Sequence, residues 1–146
     1  MFPMDARSIL KSKGSDVVTI DGSASIAQVV ELLAEHGLGA VVVSADGVHI
    51  DGIISERDVA RGLATDGPEL LGQPVSRHMT SEVMTCNPGD SVAELMTLMT
   101  DRRIRHLPVE VDGEMTGIIS IGDVVKMRVA ELEIEAEQML EYLRGR

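Results

Sequence analysis

The sequence predicts a mixed α/β (α+β) fold made of two copies of one strand-helix-strand-strand-helix unit, with a helical extension after the second copy. Three observations predict it. The phrase "GIISERDVA" at residues 52–60 returns as "GIISIGDVV" at 117–125. The residues before each phrase match as well: "DVVTIDGSASIAQVVELL" lies over "EVMTCNPGDSVAELMTLM". Within each copy, short apolar runs alternate with apolar residues at helical spacing. The two alignments differ by one residue, so the first copy carries one insertion between Gly47 and Gly52.

Each copy opens on a short apolar run, "VVTI" or "VMTC". Ser25-x-x-Gln28 and Ser91-x-x-Glu94 then read as capping boxes, a hydroxyl and a longer polar side chain that bond reciprocally across the first helical turn. Behind them Ile26, Val29, Val30 and Leu33, and Val92, Leu95, Met96 and Met99, recur at helical spacing. Gly37 stops the first of these helices. "GAVVVS" is a fully buried strand. Its counterpart "IRHLPV" contains Pro108, which cannot donate to a ladder and so belongs at an edge or a gap. Asp46-Gly47 and Asp112-Gly113 are hairpin-turn signals leading into "VHIDGII" and "EMTGII". A second helix follows in each copy, from about Glu56 and about Gly122.

The first copy spans residues 8–66, the second 74–130, and a helical tail 131–146. "PVSRHMT" in the connection is expected to re-enter the second half. A half this small is marginal alone, so the two are expected to pack with pseudo-twofold symmetry as one module. In the tail Val125, Val129, Leu132, Ala136, Met139 and Leu143 are spaced 4, 3, 4, 3 and 4, a heptad seam. Glu131, Glu133, Glu135, Glu137 and Glu141 make the other faces acidic. The seam either lies on its own module or reaches a second chain, and self-association is the expectation.

Composition excludes several function classes. At 44% hydrophobic and 25% charged, the 146 residues describe a globular chain whose only aromatics are Phe2 and Tyr142. A net charge of -11 and the lack of aromatic platforms argue against nucleic acid and against anionic membrane surfaces. The one cysteine, Cys86, sits in an apolar run and reads as a buried strand thiol. His36, His49 and His78 are dispersed, so no metal site is expected. No nucleophile motif such as Gly-x-Ser-x-Gly is present, so an enzyme is not expected. The start, "MFPMDARSILKSKG", lacks the apolar core of a signal peptide, and no stretch reaches the length of a membrane span; a cytoplasmic location is expected.

The doubled Gly-Ile-Ile-Ser-x-x-Asp, in matched repeats, resembles a pair of CBS domains (cystathionine beta-synthase domains), also called a Bateman module. "SERD" and "RHLPV" are common spellings in that family, and the resemblance covers about residues 8–130. It implies a stand-alone regulatory module and not a catalyst. It implies an adenine nucleotide or related adenosine ligand (AMP or ATP first, then ADP, NAD or S-adenosylmethionine) bound in the cleft between repeats. It also implies a disc-shaped homodimer and a regulated protein partner.

Two readings of Ser-x-x-Asp stay open. Ser55 with Asp58, and Ser120 with Asp123, can be helix caps. They can also hold a nucleoside phosphate, with the helix end taking phosphate and the carboxylate taking the ribose diol. Asp123 takes that ribose role by the resemblance. Arg102, Arg103, Arg105 and His106 form a basic cluster in the second copy where the first has His36, Gly37, Gly39 and Ala40. The bland account of the cluster is a helix C-terminal turn, which suits Arg102 and Arg103 better than Arg105 and His106. The favoured site therefore comprises Ser120, Asp123, Arg105, His106 and Ile118, with Thr19 and Ala24 from the first copy. A second site would use Ser55, Arg57, Asp58, Ile53 and Thr85; there Arg57 is the only obvious phosphate group, or else an ion-pair partner of Glu56 or Asp58. The competing account is a structural or dimerisation module that binds no nucleotide.

Overall fold

The computed structural model describes residues 4–145. The elements run α1 (Ala6–Lys13), β1 (Thr19–Ile20), α2 (Ile26–His36), β2 (Ala40–Val43), β3 (Gly52–Ser55), α3 (Glu56–Asp66), α4 (Val92–Arg102), β4 (His106–Val111), β5 (Glu114–Ser120) and α5 (Ile121–Arg144), with 3-10 turns at Gly67–Gly72 and Val75–Arg77. The expected mixed fold and the C-terminal helix are both present. The chain forms two compact units. One holds the residues up to Ser15, Thr85–Val111 and those from Thr116 on; the other holds Asp16–Met84 and Asp112–Met115.

In the unit that contains the first repeat, β1 pairs parallel to β2 and β2 antiparallel to β3. All four residues of β2 are buried, as its unbroken apolar run requires. Ile26, Val29 and Leu33 of α2 meet Val41, Val43 and Ile54 in one core. Val75 and Leu70 belong to the same core, and Thr80 exchanges backbone hydrogen bonds with Ile53. "PVSRHMT" thus packs on the first repeat, not the second. Gly52 explains the opening of the repeated phrase. A β-carbon there would lie 2.6 Å from Met79 Sδ and 2.9 Å from the Thr80 carbonyl oxygen.

The hairpin expected at Asp46-Gly47 is a longer loop instead. The Asp46 carboxylate accepts the N–H groups of Val48 and His49 and lies 2.6 Å from His49 Nδ1. These bonds hold the Asp46 carboxyl below its usual range and the His49 imidazole above it. They occupy "VHI", which the sequence reading assigned to a strand. Asp112 and Gly113, with φ of 53° and 78°, do make the tight two-residue turn, and both central residues have the positive φ of a type I′ hairpin.

In the other unit, β4 and β5 are hydrogen-bonded neighbours and "VMTC" is reduced to one parallel bridge, Cys86 to Val109. Pro108 gives the reason. It stands where Val42 stands in the first copy, and Val42 pairs with Thr19. A proline has no N–H for that pair, so the ladder ends one residue sooner. Cys86 is buried, and burial pushes its thiol up to about 12, with Asp90 adding to the shift. A group so held is not a nucleophile at neutral pH.

α1 is an element that sequence periodicity did not reveal. Asp5 caps it in a reciprocal box with Ser8, and Ala6 and Ile9 enter the core formed by Val92, Leu95, Met99, Leu107, Ile119 and Val124. Leu10 packs over Gly117, where a β-carbon would lie 2.6 Å from Leu10 Cδ2. Residues 8–13, read from sequence as the start of the first repeat, therefore pack with the second. Glu131 is a further correction. It is not on an outer acidic face but 4% exposed, accepting the Met4 N–H at 2.8 Å and an Arg128 N–H at 2.7 Å.

Gly52→Ala is expected to cost about 1–3 kcal/mol, the range for overpacking, because backbone stands in the way. Gly117→Ala, which meets only the ends of Leu10, should cost less. Urea unfolding of the two variants checks this, and equal costs would contradict it. Arg103 caps α4 with φ 54° and ψ 40°, the left-handed conformation that Gly37 takes at the end of α2. Arg103→Gly should raise stability by about 1 kcal/mol, or roughly 2–4 °C in Tm. A lower Tm would refute that account of the cap.

Candidate functional site

Four serines end a strand or turn and begin a helix: Ser25 and Ser91 form the predicted reciprocal capping boxes, and Ser55 and Ser120, for which the cap is one of two open readings, form them too. The two in the repeated phrase differ from the others in using Asp at the third helical position. At the start of α5, the Ser120 N–H donates to Asp123 Oδ2 at 2.9 Å, and the Asp123 N–H donates to Ser120 Oγ at 3.2 Å. The Ile121 N–H donates to the Arg105 carbonyl at 2.8 Å. That last bond fixes the Arg105 backbone beside the same helix end, with its side chain exposed. His106 follows as the first residue of β4.

Sequence reasoning missed the group closest to Asp123. Lys13, the last residue of α1, places Nζ 2.7 Å from Asp123 Oδ2 and donates to the Ile118 carbonyl at 3.0 Å. Partial burial pushes the Asp123 carboxyl up, but the Lys13 ammonium and the Ser120 hydrogen bonds outweigh it, so the pKa lies below the ordinary value. Ile118 contributes its half-buried position on β5 and a carbonyl already engaged by Lys13.

The start of α3 repeats the backbone and not the charges. The Ser55 N–H donates to Asp58 Oδ2 at 2.9 Å, the Asp58 N–H to Ser55 Oγ at 3.3 Å, and the Glu56 N–H to the Gly39 carbonyl at 2.9 Å. Gly39 stands where Arg105 stands in the second copy. Among the described residues, no cation lies within ion-pair distance of Asp58, and Arg57 pairs with neither Glu56 nor Asp58.

The structure therefore brings Ser120, Asp123, Arg105, His106 and Ile118 into one unit, and Ser55, Arg57, Asp58 and Ile53 into the other. Thr19 and Ala24 belong to the latter unit. Thr19 pairs with Val42, and the Ala24 carbonyl accepts the Val75 N–H at 2.8 Å. Thr85 belongs to the former, directly before Cys86. A shallow groove of about 300 Å³ lined by Val30, Leu33, Ala34, Leu38, Glu56 and Val59 is apolar apart from one carboxylate and does not suit a phosphate. Among the described residues, no group of three or more His, Cys, Asp or Glu side chains is placed to hold a metal ion. No helix among them is long and apolar enough to cross a membrane.

Comparison with known proteins agrees with the doubled motif. The CBS domain model matches residues 7–65 and 75–130. The chain is 36% identical to a mitochondrial CBS domain-containing protein of Arabidopsis thaliana, CBSX3, over 94% of this chain and 70% of that one. The crystal structure of a CBS-domain containing protein from Agrobacterium tumefaciens is 44% identical and superposes with a TM-score of 0.83, covering 87% of this chain and 95% of that one. The CBS domain pair of protein MJ0100, solved in complex with 5′-methylthioadenosine and S-adenosyl-L-methionine, shares the fold at 21% identity and a TM-score of 0.78, covering 89% of this chain and 99% of that one. The chain belongs to the CBS domain family and carries two such domains.

The Lys13 contact predicts a titration. The Asp123 carboxyl, followed by NMR, should titrate below the ordinary aspartate value of about 3.9, and Lys13→Met should move it up. The stability this contact contributes is present above the unfolded-state pKa and is lost as pH falls through the lowered folded-state value. An Asp123 midpoint unchanged by Lys13→Met would contradict the pairing.

Proposed function

We propose that the module is a sensor of an adenosine ligand, with the α5 helix start as its principal binding element and AMP or ATP as the ligand. The observation that carries this is the juxtaposition of Ser120, Asp123 and Arg105 at one strand-to-helix corner in a CBS domain pair. Asp123 uses one carboxylate oxygen in the cap, and a carboxylate has further acceptor capacity for a ribose diol. The adenosine ligands of the MJ0100 domain pair support the same ligand class. Thr19 and Ala24 join the proposed set from the first repeat. Ser55, Asp58, Arg57, Ile53 and Thr85 make the weaker set, since no arginine stands at the position of Gly39. Ligand binding would shift the populations of two arrangements of the module, and a regulated protein would read the shift; no catalytic role is assigned.

A thermal-shift panel of AMP, ADP, ATP, NAD and S-adenosylmethionine tests the reading. A ligand at a hundred times its Kd should add about 2.7 kcal/mol of stability. Asp123→Ala should abolish most of the response, and Asp58→Ala much less of it. No response from ligand-free protein to any of the five would refute the proposal.

Self-association is proposed through α5. Its inner face, Ile121, Val124, Met127 and Glu131, packs on its own unit. The predicted seam faces outward instead, with Val125 44%, Leu132 46%, Met139 60% and Leu143 65% exposed. Leu132→Glu combined with Met139→Glu should convert a dimer to a monomer in light scattering without lowering the helical circular dichroism of the unit. A wild-type monomer, or a variant that remains dimeric, would exclude this interface.

A further inference from the structure

We infer that Lys13 selects the charge of the ligand at the α5 corner, favouring adenosine compounds that carry a phosphate over uncharged or sulfonium ones. The inference rests on the adenosine-ligand reading above and adds a residue outside both repeated phrases. A helix N-terminus ordinarily offers free N–H groups to an anion. Here the N–H groups of Ser120, Ile121 and Asp123 are already bonded to Asp123 Oδ2, the Arg105 carbonyl and Ser120 Oγ. Capping uses three of the donors at this helix start and leaves the Gly122 N–H for a phosphate. One N–H does not neutralise a phosphate, and formal positive charge comes from side chains.

Two cations meet that need. Arg105 is held at the corner by its own carbonyl and is exposed. Lys13 Nζ sits at 2.7 Å from Asp123 and 3.0 Å from the Ile118 carbonyl, which uses two of its three N–H donors and leaves one for a ligand. The corner thus holds one carboxylate against two cations. Without Lys13 it would hold one of each, and the Asp123 carboxylate would attract a sulfonium as readily as the arginine attracts a phosphate. The α3 corner shows the opposite balance: Glu56 and Asp58 stand against Arg57, and a glycine replaces the arginine at the strand entry. A phosphate is favoured at the first corner and repelled at the second.

A purely structural Lys13 would tie α1 to α5 and affect every ligand equally. Isothermal titration of the full chain with AMP, adenosine and S-adenosylmethionine at low salt separates the two roles. Wild type should bind AMP tighter than the other two. Lys13→Met should weaken AMP by about tenfold or more, the range of a lost charge-assisted hydrogen bond. It should leave adenosine within about twofold, and Lys13→Arg should restore the AMP preference. Equal losses for AMP and adenosine in Lys13→Met, or an unchanged ratio, would overturn the role of Lys13 while leaving the adenosine reading intact. No binding of any of the three by wild type would overturn both.

Discussion

The reciprocal bond between Ser120 and Asp123 is the constraint from which the rest of the second repeat's site follows. It turns β5 into α5 at one residue and commits the N–H groups of Ser120 and Asp123 to the fold. A helix end capped in this way is a stable corner that keeps one N–H, that of Gly122, outside the cap. The cations near the corner are side chains brought from elsewhere. Arg105 arrives through its carbonyl on Ile121 and Lys13 through the docking of α1. The serine and aspartate that cap the helix are also the ones proposed for recognition, so neither residue type separates the two roles. The charge around them does.

The two repeated phrases illustrate this. Their caps share the same reciprocal backbone bonds, down to the contact from the first helical residue to the strand entry, Glu56 to Gly39 and Ile121 to Arg105, while Ser55 adds a hydroxyl bond to its aspartate. Their surroundings do not agree. The glycines that begin the phrases are both needed for close packing, but different segments fill the space, Met79 and Thr80 over Gly52 and Leu10 over Gly117. The second filler is α1, and α1 is also what brings Lys13 to Asp123. The asymmetry between the corners has three origins: the middle residues Glu56 and Arg57 against Ile121 and Gly122, the strand entry Gly39 against Arg105, and the chain that covers each phrase.

Local features were legible in the sequence because local physics writes them there. Capping boxes sit at fixed spacing, a strand buried on both faces is an unbroken apolar run, and a heptad seam declares itself along α5 and is indeed exposed. What was not legible is long-range. Lys13 meets Asp123 across 110 residues and Met4 meets Glu131 across 127, and no periodicity signals either. α1 is short and mostly polar, so its register with the second repeat's core is visible only once Ala6 and Ile9 are placed. The dipeptide Asp-Gly was ambiguous for a different reason. At 112–113 it makes a tight turn, while at 46–47 the aspartate gathers the amides of Val48 and His49 into a loop.

On the proposed reading, a phosphate-bearing nucleotide binds at the α5 corner. Mapping amide chemical shifts of the isotope-labelled protein during titration with AMP tests it most directly. The account predicts saturable shifts at Lys13, Arg105, Ser120, Gly122 and Asp123, and weak ones at Ser55 and Asp58. Saturable binding with shifts confined to the α3 corner, or none at the α5 corner, would contradict it.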